Sequence, residues 1–159
     1  MEQRTLVRWL KLLVIFAAVC GVALCVWILP MVGKWIAGLS PEFAHCYFPW
    51  LVFLWILSIP CFMALILAWQ IFGNIERDRS FCRENAEALR KISFLAALDG
   101  GILFLGNILF LLLNMNHPSI LLGAFVVVTV GIGISVASAV LSHLVGKAAA
   151  LQEENELTI

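Results

Sequence analysis

Charged residues are absent from three long, strongly apolar stretches of the chain. Residues 12–33, 43–75 and 100–146 contain no Asp, Glu, Lys or Arg, and residues 92–98 extend the last stretch with only Asp99 as an interruption. A helix that crosses a bilayer needs about 20 apolar residues, because each residue adds about 1.5 Å across a hydrocarbon core of about 30 Å. An uncharged run as long as 100–146 is therefore typical of a membrane protein rather than of a soluble domain.

Turn-forming residues divide these stretches into four predicted spans, at about residues 12–32, 49–73, 92–113 and 119–146. Pro49 suits the first turn of the second span, because the N–H that proline lacks would be unpaired there. Pro118 and the polar residues before it separate the third span from the fourth. The sequence thus predicts an all-α, integral membrane four-helix bundle, with a loop and interfacial helix at 76–91 and a tail at 147–159.

Composition agrees with this interpretation, and the distribution of charge adds an orientation. The chain is 63% hydrophobic and 13% charged, and its ten basic and ten acidic residues cancel, so no overall basic field suggests direct binding of nucleic acid. Nine of the ten Lys and Arg residues lie in the N-terminal segment, in 76–91 and in the tail, whereas the other connections contain only Lys34. The positive-inside rule therefore predicts that both termini and the loop at 76–91 are cytoplasmic.

The segment 76–91 is predicted to form an amphipathic helix that leads into the third span. Four of its apolar positions recur at helical spacing: Phe81, Ala88, Leu89 and Ile92. No Gly or Pro interrupts the segment, so we expect one helix from about Phe81 to Leu113, with Asp78 or Ser80 as its cap. This face is either an interfacial helix that packs on its neighbours or a docking surface for a cytoplasmic partner.

The tail contains helix-forming residues that are predicted to extend the fourth span by two turns. It then ends in acidic and apolar residues, of which Leu157 and Ile159 have no core of their own. A partner or a neighbouring cytoplasmic helix is expected to cover them.

At these positions the chain resembles the small four-span bacterial membrane proteins of domain-of-unknown-function family 2975, over about residues 50–159. The residues that carry the resemblance are Ile59-Pro60, Ile75, Phe81, Asn85, Leu89, Ile92, His117-Pro118 and the ending Glu154-Asn155-Glu156-Leu157-Thr158-Ile159. One departure is Cys82, where the family pattern usually has Ser. Such proteins look like partners of small helix-turn-helix regulators that resemble the lambda repressor and are commonly encoded beside them.

The resemblance implies a protein of the bacterial cytoplasmic (inner) membrane that binds or sequesters such a regulator in response to a membrane or small-molecule signal. The partner contacts are expected at Phe81, Asn85, Leu89, Glu154, Asn155, Leu157 and Ile159. Besides this regulator, the lipid bilayer is an expected partner. The sequence does not decide whether the protein also forms a homo-oligomer.

Asp99 is the only formally charged residue inside a predicted span, and burial of a carboxylate there costs a few kcal/mol. It is expected about 12 Å along the helix from the cytoplasmic edge, with His143 as a candidate partner at a comparable depth. The predicted intramembrane polar pocket consists of Asp99, Asn107, Ser135, Ser138, Ser142 and His143. It is either a sensing pocket or a set of hydrogen bonds that hold the helices together. An alternative function, a small oligomeric proton-coupled transporter, would use Asp99.

Cysteine and histidine positions give no strong chemical signal. The five cysteines include no Cys-x-x-Cys pair, and the three histidines lack the spacing of metal ligands, although His45, Cys46 and His117 are predicted to share the outer face. No phosphate-binding loop or nucleophile elbow is present. We therefore expect no enzymatic activity, no metal site and no cofactor.

Overall fold

The computed structural model describes residues 3–39 and 41–157, with side chains described for 5–39 and 44–155. Of the described residues, 93% are helical and none lies in a strand. Four helices are long and apolar enough to cross a membrane: Thr5–Leu39, Ala44–Glu76, Arg83–Leu112 and Pro118–Asn155. Large apolar side chains remain exposed along all four, as expected where lipid is the solvent. The predicted all-α membrane fold with four spans is confirmed.

The first span is longer than predicted and contains a wide turn. Helix α1 (Gln3–Ala23) passes through a π-helical turn (Leu24–Ile28) into α2 (Leu29–Leu39). In this turn the N–H of Leu29 donates to the carbonyl of Leu24, and Pro30 has no N–H to offer to Cys25. The indole of Trp55 donates to the Cys25 carbonyl instead, at 3.0 Å. A side chain of the second span therefore satisfies the carbonyl that the π turn leaves open.

A short 3₁₀ segment (Pro41–Cys46) leads into α3 (Tyr47–Glu76), which is followed by α4 (Arg83–Leu112) and α5 (Pro118–Leu157). The end of α3 is closed by backbone hydrogen bonds from Arg79 to Asn74 and from Asp78 to Ile75, at 3.0 and 3.1 Å. Asp78 has a left-handed φ of 58°. This pattern is a Schellman motif, in which a left-handed residue lets the chain leave the helix while its last carbonyls stay paired.

The turn between α4 and α5 repeats the same motif. Met115 donates to Phe110 at 2.8 Å, Asn114 donates to Leu111 at 3.1 Å, and Asn114 has a φ of 55°. Asparagine tolerates this conformation better than most residues, which explains its place here. At the start of α5, Nδ1 of His117 accepts the backbone N–H of Ser119 at 3.3 Å and lies 2.9 Å from its hydroxyl.

The beginning of α4 corrects the predicted cap. Cys82, with φ −130° and ψ 157°, occupies the N-cap position, and its side chain makes no capping hydrogen bond. The helix therefore begins at Arg83 rather than at Phe81. Neither Asp78 nor Ser80 caps it, because Asp78 belongs to the Schellman motif that ends α3.

Helices α4 and α5 form the most extensive interface in the bundle and run antiparallel. The two helices approach so closely that a Cβ on Gly131 would make ordinary van der Waals contact with the Ala96 carbonyl oxygen, at 3.8 Å, and one on Gly146 with the Ala86 side chain, at 3.7 Å. Helix α5 continues to Leu157 beside the start of α4, and Ala149 is buried in this extension. The tail is thus helical over a longer stretch than the two turns predicted.

The two ends of the bundle differ in character. The terminal end comprises the start of α1, the loop 77–82 and the end of α5. There Lys11 forms an ion pair with Glu76, and its ammonium group lies over the Trp69 ring, 5.4 Å from the ring centroid. The distal end comprises residues 41–46 and 113–117. Near the distal end, the rings of Trp50, Phe53 and Phe110 pack together with centroids 4.9–5.8 Å apart.

Candidate polar sites and docking surface

The six residues of the predicted polar pocket do not form one pocket. Asp99 contacts α3, where its Oδ2 accepts a hydrogen bond from Sγ of Cys61 at 3.6 Å. Its Oδ1 is buried, and within the described part of the chain no hydrogen-bond donor reaches it. Asp99 is therefore a half-buried carboxylate with one weak thiol contact.

The serines of α5 join α5 to α4. The hydroxyl of Ser93 donates to the Ser135 carbonyl at 2.7 Å, and the hydroxyl of Ser135 donates back to the Ser93 carbonyl at 2.8 Å. About two turns nearer the terminal end of α5, the hydroxyl of Ser142 donates to the Ala86 carbonyl at 2.7 Å. Ser138 lies between them on the helix and is half-buried. Ser135 and Ser142 thus hold helices together, which is the structural alternative of the two expected roles.

We expect the reciprocal Ser93–Ser135 pair to stabilise the bundle by a modest, measurable amount. Interhelical hydrogen bonds in membranes are worth about 0.6 kcal/mol on average and up to about 1.7 kcal/mol. Ser93→Ala and Ser135→Ala, read by reversible unfolding in mixed micelles, should each lower the unfolding free energy by about 0.5–1.5 kcal/mol, and the double variant should lose about the sum, because each hydroxyl donates to a backbone carbonyl that the other substitution leaves in place. Unchanged stability in both single variants would contradict the reciprocal pair.

His143 is not the partner of Asp99, contrary to the prediction. Helices α4 and α5 run antiparallel, and Ser93 of α4 lies level with Ser135 of α5. Asp99 lies six residues after Ser93, so it is level with residue 129 of α5, and His143 lies 14 residues further along α5. That difference is about 21 Å along the helix axis. His143 is exposed near the terminal end, in a shallow groove of about 580 Å³ that also contains Arg90 and Lys147.

Asn107 lies at the other end of α4 from the serine contacts. It is 1% exposed, donates to the Leu103 carbonyl at 2.9 Å, and accepts a hydrogen bond from Asn116 at 3.0 Å. This pair of amides ties α4 to the turn before α5. Asn107 therefore belongs to the distal end of the bundle.

The two segments predicted to contact a partner lie side by side. Arg83 at the start of α4 forms an ion pair with Glu153 near the end of α5, at 2.8 Å. Phe81 is 56% exposed beside this pair of helices, Leu89 is half-buried, and Glu154 and Asn155 are exposed. Ile159 and the side chain of Leu157 lie outside the described residues.

Asn85 differs from the other predicted contact residues because its side chain is buried. It is 2% exposed, accepts a hydrogen bond from Asn74 at 2.8 Å, and donates to the carbonyls of Arg79 and Ser80 at 3.2 and 3.0 Å. These bonds connect the end of α3, the loop and α4. Asn85 therefore fixes the loop 77–82, and its amide is not accessible to a partner in this conformation.

Metal-binding and thiol chemistry find little support in the geometry. In the described part of the chain, no three His, Cys, Asp or Glu side chains come together as metal ligands. Sγ of Cys46 lies 3.3 Å from Nε2 of His45, whereas His117 is engaged with Ser119. Outside the spans, burial raises the pKa of the Cys82 thiol, the opposite of the shift that activates a cysteine.

The distal end contains a cavity that sequence reasoning missed. It has a volume of about 300 Å³ and lies between α2, the start of α3 and the turn before α5. Its lining includes Gly33, Tyr47, Trp50 and Asn116, and the absence of a side chain on Gly33 lets the Tyr47 ring approach α2. The Asn114–Pro118 turn signals a helix boundary in the sequence, but nothing in it predicts that three elements leave a space there.

Known proteins similar to this chain carry no assigned activity. A family model described as "Protein of unknown function (DUF2975)" matches residues 31–159, which is more of the chain than the 50–159 predicted from the motifs. The uncharacterized membrane protein YoaS of Bacillus subtilis (strain 168) is 26% identical over 153 residues, covering 95% of this chain and 96% of that protein. No solved structure matches the chain.

Proposed function

The chain belongs to the family of membrane proteins of unknown function DUF2975, and we propose that it is a regulatory protein that docks a small helix-turn-helix transcription regulator at its terminal end. In this proposal the terminal end faces the cytoplasm of a bacterial cell and the membrane is the inner membrane. The concentration of Lys and Arg at this end supports that orientation.

The observation that carries the proposal is the paired extension of α4 and α5 beyond the predicted spans. Arg83–Glu153 and Ser142–Ala86 hold the two helices together, so the extension is a defined surface and not a frayed tail. Leu151 is more than half exposed on it, and Phe81 is more than half exposed in the loop just before Arg83. Aromatic and apolar side chains exposed beside charged ones are typical of docking sites, in which a few such residues supply most of the binding energy.

The test is a gentle purification of the tagged full-length protein from its native membrane, with the co-purified proteins identified and quantified. We expect a small DNA-binding protein in near-equal amount. Phe81→Ala should reduce its recovery about 10-fold or more, which is the effect of losing an interface hot spot. Deletion of residues 151–159 should have the same effect.

Phe94→Ala is the matched control, because Phe94 is an equally exposed phenylalanine of α4 inside the predicted span. It should leave recovery unchanged while both variants insert normally. A preparation that contains only lipid, or equal recovery with Phe81→Ala and Phe94→Ala, would overturn the docking proposal.

One observation favours the alternative, a small oligomeric proton-coupled transporter. The Oδ1 atom of Asp99 is buried without a donor in the described structure, and a lone carboxylate within a span is typical of a coupling site. Proton-coupled uptake by proteoliposomes that is abolished by Asp99→Asn, together with unchanged recovery of any regulator, would favour transport over docking.

A further inference from the structure

The distal cavity contains a buried hydrogen-bond acceptor that lacks a donor. Asn116 lines the cavity and is 7% exposed; its Nδ2 donates to Asn107, but its Oδ1 has no partner among the described residues. Buried carbonyl groups are normally satisfied, so an unpaired one needs an explanation such as a ligand. The indole N–H of Trp50, which also lines the cavity, does not reach this oxygen, because it donates to the Met115 carbonyl at 3.0 Å.

The rest of the cavity indicates what kind of ligand would fit. Its described lining residues are mainly apolar and include no Asp, Glu, Lys or Arg, and the one histidine among them, His117, is engaged with Ser119, which favours an uncharged ligand. Its volume of about 300 Å³ matches the lower limit of small-molecule sites, about 300–1,000 Å³. The cavity also lies at an end of the bundle, where a polar head group and an apolar chain meet their preferred surroundings at the same time.

We propose that the distal cavity binds an uncharged single-chain amphiphile whose hydroxyl group donates a hydrogen bond to Oδ1 of Asn116. The chain of the ligand packs against Leu29, Leu51 and Leu54 of the lining. This binding site is separate from the terminal-end surface and does not depend on the function proposed for that surface.

The experiment uses ω-bromodecanol, a hydroxyl-bearing chain whose bromine quenches nearby tryptophans, with bromodecane as the probe that lacks the hydroxyl. The full-length protein is reconstituted into phosphatidylcholine vesicles, and the signal of Trp50 is obtained as the difference from a Trp50→Phe variant. We expect saturable quenching of Trp50 by bromodecanol. Binding of bromodecane, corrected for its partition into lipid, should be about 10-fold weaker.

Two variants decide the outcome. Asn116→Leu should reduce bromodecanol binding about 10-fold, to the level of bromodecane, whereas Asn155→Leu on the exposed end of α5 should have no effect. If Asn116→Leu does not fold, Ala37→Leu serves instead, because it fills the cavity and leaves the asparagine in place. Equal, non-saturable quenching by both probes, or full binding in a folded Asn116→Leu or Ala37→Leu protein, would overturn the proposal.

Mass spectrometry of the protein extracted from its native membrane separates two sources of the ligand. A retained hydroxyl-bearing lipid would identify the bilayer as the source. Binding of added alcohol to a protein that carries no lipid would identify a diffusible amphiphile, and either result supports the site.

Discussion

An Asn85→Leu variant is expected to lose about 2–3 kcal/mol of unfolding free energy. Leucine has the same branched arrangement of heavy atoms but is larger and cannot replace the amide, so Asn74 and the carbonyls of Arg79 and Ser80 would lose their partner at a part-buried site. A buried group left unsatisfied costs about 1–3 kcal/mol, and only part of that cost is recovered if water enters.

The measurement is reversible unfolding in mixed micelles together with hydrogen exchange of the loop 77–82. Faster exchange confined to this loop would locate the damage at the junction of α3 and α4. Asn155→Leu is the matched control, since Asn155 is exposed near the end of α5 and should change stability by less than about 0.5 kcal/mol. Equal stability of the two variants would contradict the structural role of Asn85.

Gly106→Ala is expected to destabilise the bundle by a net 1–2 kcal/mol, although alanine is the better helix former by up to about 1 kcal/mol. A Cβ at this position would clash with two atoms of the Phe53 ring. That ring cannot swing away without cost, because it packs edge-on against both Trp50 and Phe110. Overpacking of this kind costs about 1–3 kcal/mol, which exceeds the gain in helix propensity.

Gly101→Ala is the control on the same helix, where nothing lies within 4 Å of the added Cβ. It should be neutral or slightly stabilising, so the two variants should shift the thermal midpoint in opposite directions or by clearly different amounts. A second change, Phe53→Leu, should restore part of the stability lost by Gly106→Ala, because it removes the atoms that clash. Equal midpoints for Gly106→Ala and Gly101→Ala would exclude the close contact with Phe53.

The number and type of elements followed from the sequence because lipid imposes a simple rule on each span. Apolar length sets where a helix crosses, and the Asn114–Pro118 segment marks the turn between α4 and α5 where the structure has one. The length of the first span was harder to predict from the sequence. Pro30 suggests a break, yet the chain continues as helix to Leu39, because Trp55 from another span satisfies the open carbonyl of Cys25.

The polar residues were harder to group, because sequence spacing places them on faces but does not pair the helices. The predicted pocket combined Asp99 with His143, which the antiparallel register of α4 and α5 separates, and with Asn107, which lies two turns further along α4 and bonds to the turn before α5. The register depends on which small residues face each other across the interface, such as Gly131 and Ala96, and no single helix encodes that choice. Asn85 was likewise identified as a distinctive residue, but only the folded loop assigns it a buried role.

The length of α5 has a mechanical consequence. Its 40 residues form one uninterrupted rod of about 60 Å, which begins at Pro118 and runs past Glu153. Because Ser135, Ser142 and Glu153 hold this rod to α4 along its length, a displacement of its distal end would be transmitted to its far end. The two ends of the bundle are therefore connected by one continuous helix.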